Sequence, residues 1–195
     1  ALLLATQNPI EQEGTYPLPE AQLDRFMFMI QVGYPSVEEE REILKRTTSG
    51  QPPEVNKVVT GTELKALQHA VREIPVADEV LNFAVELTRR TRVRSGEAND
   101  TVREFVTWGA GPRAGQFLLL GAKAHAAIHG RDYVASEDIH AVAHPVLRHR
   151  IVTNFSAQAE GVTSDAIISR LLESTQVGGA VGAGLPGLSS NGSKG

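Results

Sequence analysis

The chain has 195 residues, 41% of them hydrophobic and 22% charged, so it can bury a core as one domain with smaller attached pieces. Its formal net charge of −4 argues against a dedicated nucleic-acid-binding protein, because such proteins usually carry a basic face. Cysteine is absent, which excludes disulfides, cysteine-ligated zinc and thiol catalysis. No apolar run reaches the roughly 20 residues that cross a bilayer, so we expect a cytoplasmic protein without a membrane span.

Two apolar runs near the N-terminus predict buried strands, one over residues 1–7 and the other over 26–32. Pro17 and Pro19 predict a short helix between them that ends at about Asp24, because proline suits the first helical turn. Continuously apolar strands joined through a helix are typical of a parallel sheet. Two strands cannot form such a sheet alone, so we expect the rest of it upstream.

The remainder of the chain has a helical pattern. Capping-box sequences at Ser36–Glu39 and Thr60–Glu63 each predict the start of a helix. Gly130 suits a left-handed C-cap, and Pro145 is expected to stop a helix near His144. The predicted helices cover about 37–46, 61–74, 78–91, 101–108, 112–129 and 136–144, and a last one starts at Thr163.

Asn8 and Arg25 are candidates for phosphate chemistry. A strand-end amide such as that of Asn8 can hold a water that attacks a γ-phosphate, and an arginine can stabilise the charge of the transition state. Each residue also has a simpler explanation. An Asn-Pro pair often opens a turn, and Arg25 could form a surface ion pair with Asp24.

Arg113 is a third candidate because of its place in a helix. Pro112 suits the first helical position, which puts Arg113 in the first turn, where free backbone amides and the helix dipole favour an anion. Arg113 is therefore a candidate phosphate-binding residue. The alternative is an ordinary exposed arginine.

Three further patterns are better explained by structure than by chemistry. Ile74–Glu79 ends in Asp-Glu like a magnesium-binding strand, but Pro75 would remove a ladder hydrogen bond, so a helix start fits better. Two histidine pairs with helical spacing lack a third ligand, so no metal site is predicted. Four arginines between 89 and 94 are expected to form a solvated helix end.

The run from Ala5 to Phe26 resembles the segment between sensor 1 and the arginine finger of AAA+ ATPases, and its amino-acid sequence is similar to that of the MoxR family. Gly109–Ala114 resembles sensor 2 of that family, although Gly111 stands where serine is usual. The stretch from Gly130–Val134 through Val146–Arg150 also matches. The resemblance covers roughly residues 1–176.

This resemblance implies roles for the three candidates: Asn8 as sensor 1, Arg25 as the arginine finger and Arg113 as sensor 2. It also implies ATP and Mg²⁺ as cofactors. The chain contains neither the Gly-x-x-x-x-Gly-Lys-Ser/Thr phosphate loop nor a credible magnesium-binding strand, so both cofactors would need a missing N-terminal half. The chain alone is therefore expected to be inactive.

The implied fold class is an α/β remnant plus an all-α part: the last strands of a P-loop AAA+ core followed by a helical lid. The predicted divisions are 1–35 for the end of the core, 36–58 for a connecting helix and linker, 59–176 for the lid, and 177–195 for a disordered tail. The resemblance implies a ring, usually hexameric. It also implies chaperone-like maturation of client proteins or cofactor insertion, with von Willebrand A-domain partners. The alternative is a helical interaction module without nucleotide chemistry.

Overall fold

The computed structural model describes residues 3–7, 18–50 and 54–175. Within these ranges the chain forms nine α-helices and two short strands. In chain order they are α1 (Glu20–Leu23), α2 (Val37–Thr48), α3 (Gly61–Glu73), α4 (Asp78–Arg90), α5 (Asp100–Phe105), β1 (Val106–Trp108), α6 (Pro112–Ile128), α7 (Ser136–Leu147), β2 (Val152–Thr153), α8 (Phe155–Glu160) and α9 (Ser164–Ser174). Asn8 and the predicted tail lie outside the described residues.

The predicted helix starts are confirmed at α2 and α3. The Ser36 amide donates to Glu39 Oε2 at 2.8 Å, and the Glu39 amide donates to Ser36 Oγ at 3.3 Å. Thr60 and Glu63 repeat this reciprocal pattern at 2.7 and 3.2 Å. The left-handed conformation predicted for Gly130 is also confirmed, with φ of 71° directly after His129, the C-cap of α6.

The buried residues of the described chain all lie between Val80 and Thr175. Helix α6 is central and packs against α3, α4 and α7, while α7 also contacts α9 and α5 contacts α8. The largest fully buried apolar side chains are Phe83, Leu87, Val102, Leu118, Ile139, Val146, Leu147, Ile167, Ile168 and Leu171. Residues 74–175, which we call the helical body, therefore contain a core of their own.

A two-stranded antiparallel sheet closes one side of the helical body, with Val106 of β1 opposite Thr153 of β2. The sequence predicted helix through about residue 108, but α5 ends at Phe105 and β1 follows at once. Helix α8 was also not predicted. Its signals are nonetheless ordinary, since Asn154 Oδ1 accepts the Ala157 amide at 3.0 Å and Gly161 ends the helix with φ of 69°.

The prediction of buried strands at 1–7 and 26–32 is wrong for the described residues, since neither range is assigned as a strand. Leu3 and Leu4 are 73% and 83% exposed. The physical reason is that a strand needs a neighbouring strand, and the described residues place none beside either run. Residues 26–29 instead run along the helical body, where the Met29 amide donates to the Pro145 carbonyl at 2.8 Å.

The predicted end of α7 needs correction, whereas its start at Ser136 matches the predicted range. The helix begins at Ser136 with Ala135 as its N-cap, because the Asp138 carboxylate accepts the Ala135 amide at 2.8 Å. It continues past Pro145 to Leu147. Proline costs one hydrogen bond there, but only the last turn is affected, and the Pro145 carbonyl finds the Met29 amide as its partner.

No helix in the described ranges is long and apolar enough to cross a membrane.

Candidate functional site

The turn before α6 is built by a close approach between two backbone segments. A Cβ atom on Gly109 would lie 2.2 Å from the Thr91 carbonyl oxygen, so only glycine fits there. The Ala110 amide donates to Thr91 Oγ1 at 2.9 Å, and Arg92 Nε donates to the Ala110 carbonyl at 2.8 Å. The end of α4 thus fixes the position and direction of the N-terminus of α6.

Arg113 lies in the first turn of α6, as the sequence predicted, directly after Pro112. Its Nη1 atom donates to Asp24 Oδ2 at 2.5 Å. The Arg113 side chain is 43% exposed and that of Asp24 is 29% exposed. An exposed ion pair of this kind is worth about 0–1 kcal/mol, so Arg113 can exchange this partner for another anion at little cost.

The second oxygen of Asp24 binds a buried arginine. Arg150 Nε donates to Asp24 Oδ1 at 3.0 Å, and the Arg150 side chain is only 1% exposed. Burial lowers the pKa of the Arg150 guanidinium, and the neighbouring Asp24 carboxylate opposes this effect. Asp24 therefore joins one fixed guanidinium and one movable guanidinium.

Arg25 is exposed and follows Asp24 directly. The alternative of an ion pair between these two neighbours is not realised, because Asp24 pairs with Arg113 and Arg150 instead. The structure thus brings the loop of Arg25 to the N-terminus of α6. Asn8 lies outside the described residues, so its place relative to the two arginines stays a prediction.

Arg150 is the functional candidate that sequence reasoning missed. The stretch 146–150 was noted only as part of the resemblance, with no role for its residues. The available signal was an arginine within Leu147–Ile151, next to apolar positions of a predicted core. Since arginine is almost never fully buried without partners, such a position indicates a structural ion pair or a carbonyl clamp.

A buried carboxylate at Asp138 organises the start of α7. Burial raises the pKa of Asp138, but hydrogen bonds from Arg131 and His125 outweigh this and hold it well below its usual range. The Arg131 guanidinium donates to both carboxylate oxygens, at 2.5 and 2.6 Å, and His125 Nδ1 lies 2.6 Å away. This cluster accounts for one of the histidines that the sequence placed at metal-ligand spacing.

A second polar array joins α7 to α9. His144 Nδ1 lies 2.9 Å from Asp165 Oδ1, and Ser169 Oγ lies 3.4 Å from His144 Nε2. This order of groups is that of a serine hydrolase, but Ser169 Oγ donates to the Asp165 carbonyl of its own helix at 3.1 Å. We interpret the array as a helix-to-helix contact. No group of three or more His, Asp or Glu in the described ranges could hold a metal ion.

Three of the four arginines of the basic cluster bind other parts of the fold, which corrects the expectation of a purely solvated helix end. Arg89 Nε binds Glu97 at 2.8 Å, and Arg90 Nη1 donates to the Ser174 carbonyl at 2.6 Å. Arg92 holds the turn before α6, as described above. In the Ile74–Glu79 segment, Asp78 and Glu79 occupy the first turn of α4, as predicted from Pro75.

An open groove lies away from these residues, between the 31–35 segment and α2. Val32, Tyr34 and Ile43 contribute apolar walls, while Glu39, Glu42 and Arg46 line its polar side. The groove contains neither Arg25 nor Arg113, so the candidate phosphate chemistry does not coincide with it.

Two family models match the chain. Residues 98–171 match the AAA lid domain, and residues 1–28 match the ATPase family associated with various cellular activities (AAA). The lid match falls within the helical body and includes Arg113 and Arg150. The other match ends at Phe28, so it includes Asn8 and Arg25.

Similar proteins cover most of this chain. It is 41% identical over 172 residues to a protein named Chaperone MoxR1 from Mycobacterium tuberculosis, which is 88% of this chain and 45% of that relative. It is 36% identical to the uncharacterized protein YeaC of Bacillus subtilis, over 90% of this chain and 52% of the relative. Protein MoxR of Methylorubrum extorquens is 32% identical over 76% of this chain and 47% of its own length.

A solved structure agrees with the fold. The crystal structure of a protein assigned as an ATPase from Cytophaga hutchinsonii superposes with a TM-score of 0.81 at 36% identity, over 88% of this chain and 52% of that one. The predicted fold class, the end of an AAA+ core followed by a helical lid, is therefore confirmed, although the described residues at 3–7 and 26–32 do not form its strands. The chain spans about half the length of the relatives it matches, and it belongs to the MoxR family of AAA+ ATPases.

Proposed function

We propose that this chain supplies the lid and the neighbour-facing arginine of a ring-forming ATPase. The observation that carries the proposal is the contact between Asp24 and Arg113, at 2.5 Å and 89 residues apart in sequence. It brings the loop of Arg25 to the helix N-terminus that bears Arg113. In this proposal Arg25 completes the nucleotide site of an adjacent subunit, while Asn8 and Arg113 respond to bound nucleotide.

The chemistry of these residues fits an anionic phosphate. Phosphoryl transfer depends mainly on positioning and on cations that stabilise charge on the transferred group. Arg113 combines a guanidinium with the free amides of a helix start, and Arg25 is exposed enough to reach across an interface. ATP and Mg²⁺ would be held mainly by upstream residues. Whether Arg113 serves its own subunit or a neighbour stays open.

The proposed cellular role is chaperone-like maturation of client proteins, including cofactor insertion. One relative is named a chaperone, which supports this class of activity. A hexameric ring, von Willebrand A-domain partners and a cytoplasmic location belong to the same proposal.

A complementation experiment tests the role of Arg25 in the full-length protein, extended upstream to the length of its relatives. One variant carries Arg25→Ala, and a second carries a substitution of the upstream phosphate-binding lysine. Each variant should be inactive alone. If Arg25 acts on the next subunit of a ring, an equal mixture should recover about a quarter of the intact turnover, because about one site in four combines both working halves.

Arg170→Ala provides the matched control, since Arg170 is an exposed arginine on α9. Alone, this variant should keep full turnover. Full activity of Arg25→Ala alone, or no recovery in the mixture, would contradict the finger assignment.

The second candidate function is a helical interaction module, which the exposed apolar groove beside α2 favours. Titration with labelled ATP separates the two. The 195-residue chain should bind ATP weakly, whereas the full-length protein should bind it tightly. Equally weak binding by both would favour the interaction module.

A further inference from the structure

We propose that Arg150 is a positioning residue that clamps the loop of Arg25 onto the helical body. The inference rests on the proposed function, because it assigns to Arg150 the task of setting where Arg25 is presented. Arg150 itself contacts no nucleotide in this proposal. Its role is to make the loop and the lid move as one piece.

Three of the contacts of Arg150 are with backbone oxygens of that loop, residues 24–29, which we call the finger loop. Its Nη2 atom donates to the carbonyls of Asp24 at 2.7 Å and Phe26 at 2.5 Å, and its Nη1 atom donates to the Met27 carbonyl at 3.3 Å. Together with the Asp24 carboxylate, these acceptors fix the backbone on both sides of Arg25. Arg148 and His149 add one contact each to this loop, at the carbonyls of Met29 and Phe26, but Arg150 makes the largest number of bonds to it.

The clamp is anchored on the helical body from two sides. Arg150 Nη1 donates to the Val146 carbonyl at the end of α7, where the helix dipole favours a cation. The Phe117 ring of α6 lies under the guanidinium, with 5.0 Å between Cζ and the ring centroid. The planar guanidinium can satisfy these directions together, which the point charge of lysine cannot do.

The two arginines on Asp24 differ in how firmly they are held. Arg150 is 1% exposed and cannot leave without stranding a buried charge, whereas Arg113 is 43% exposed. Arg113 can therefore turn to a phosphate while Arg150 keeps the loop in place. A change at the N-terminus of α6 would in this way be transmitted, through Asp24, to the loop that presents Arg25.

The test uses the pair of variants described above, Arg25→Ala and the substitution of the upstream phosphate-binding lysine. In their mixture, the subunit with the substituted lysine contributes only its Arg25 to the recovered activity. Adding Arg150→Lys to that lysine variant should lower the recovered turnover about tenfold or more, since loss of a catalytic arginine costs at least this much. Hydrogen exchange at the Met29 amide of the same subunit should accelerate about tenfold, because the loop opens locally. If Arg150 only stabilised the fold, Arg150→Lys would not selectively lower the recovered turnover or accelerate exchange at the Met29 amide.

Arg90→Lys is the matched control. Arg90 also bonds a carbonyl and a hydroxyl, at Ser174 and Thr175, but it touches no part of the finger loop. Placed in the same lysine variant, it should leave both the recovered turnover and the Met29 exchange unchanged.

Asp24→Asn keeps the proposal testable if Arg150→Lys impairs folding. It removes the charge shared by the two arginines but retains the carbonyl contacts of Arg150, so the recovered turnover should fall by a smaller factor. The proposal is overturned if both variants leave recovery intact, or if Arg90→Lys lowers it equally. Failure of the parent pair to recover at all would instead overturn the proposed function.

Discussion

The helical body and helix α2 show two ways in which one chain stabilises helices. In the helical body, α4, α6, α7 and α9 share a core whose central side chains are fully buried. Helix α2 has no buried residue, and its apolar residues Ile43 and Leu44 are 49% and 57% exposed. It depends on its capping box and on a pair such as Glu42–Arg46 at 2.8 Å. Residues 74–175 thus contain their own core, while α2 lacks a covering surface within the described chain.

Leucine truncation gives the largest expected contrast between the two regions. Leu87→Ala in α4 should lower the free energy of unfolding by about 2–5 kcal/mol, because it leaves a cavity in a core where Leu87 is 0% exposed. Leu44→Ala in α2 should change it by less than about 0.5 kcal/mol. Urea denaturation of both variants makes the measurement. Equal losses would contradict the division into a body with a buried core and an uncovered helix.

The Asp138 cluster should carry the next largest effect. Asp138→Asn removes the charge that Arg131 and His125 share, and should cost about 3 kcal/mol, the lower end for breaking a buried ion pair. Glu137→Gln alters the exposed carboxylate one residue earlier and should cost less than about 0.5 kcal/mol. Thermal unfolding at neutral pH compares the two. If Asp138→Asn cost as little stability as Glu137→Gln, the Asp138 cluster would not stabilise the fold as proposed.

Substitution of two glycines in α6 tests the contact between the helical body and the finger loop. Gly115→Ala should stabilise the protein by up to about 1 kcal/mol, because its new methyl group would make only an ordinary contact with Thr88 at 3.5 Å. Gly121→Ala should gain less or nothing, because its methyl group would meet the Phe28 ring at 3.2 Å. Chemical denaturation measures both variants. An equal gain would mean that Phe28 does not rest on α6.

The smallest expected effect concerns acid stability at His149. Burial lowers the pKa of His149, Arg150 and Arg148 lower it further, and the Phe26 carbonyl and Asp24 oppose them. In the described part of the chain, its Nδ1 atom is buried without a hydrogen-bond partner, so protonation would bury an unpaired N–H group. The unfolded chain therefore binds the proton more readily, and stability should fall as pH drops below the usual histidine value of 6.5.

His149→Gln should reduce this loss of stability between pH 7 and 5 by less than about 1 kcal/mol, since solvent partly screens the site. Unfolding curves across this pH range decide the matter. An unaltered slope for His149→Gln would contradict the proposed burial effect.

The sequence predicted those features that depend on neighbouring residues. The capping boxes at Ser36 and Thr60, the left-handed Gly130 and the place of Arg113 in the first turn of α6 all follow from local hydrogen bonding or backbone sterics. It failed where tertiary contacts decide. Helix α7 continues past Pro145 to Leu147, and the run at 26–29 docks on helices instead of forming a strand.

In the candidate site, too, local features could be predicted from the sequence and tertiary contacts could not. Arg25 and Arg113 could be selected from their segments, but their link through Asp24 joins residues that are 89 positions apart. The burial of Arg150 likewise depends on carbonyls more than 120 positions earlier, which no local pattern displays.

The most direct test of this account is the structure of the full-length protein with a nonhydrolysable ATP analogue. We expect Arg113 and Arg25 guanidinium nitrogens within about 3 Å of phosphate oxygens, with Arg25 supplied by a neighbouring subunit. Arg150 should still bind the carbonyls of Phe26 and Met27. Arg25 and Arg113 pointing away from every phosphate, or Arg150 released from the loop, would contradict the account.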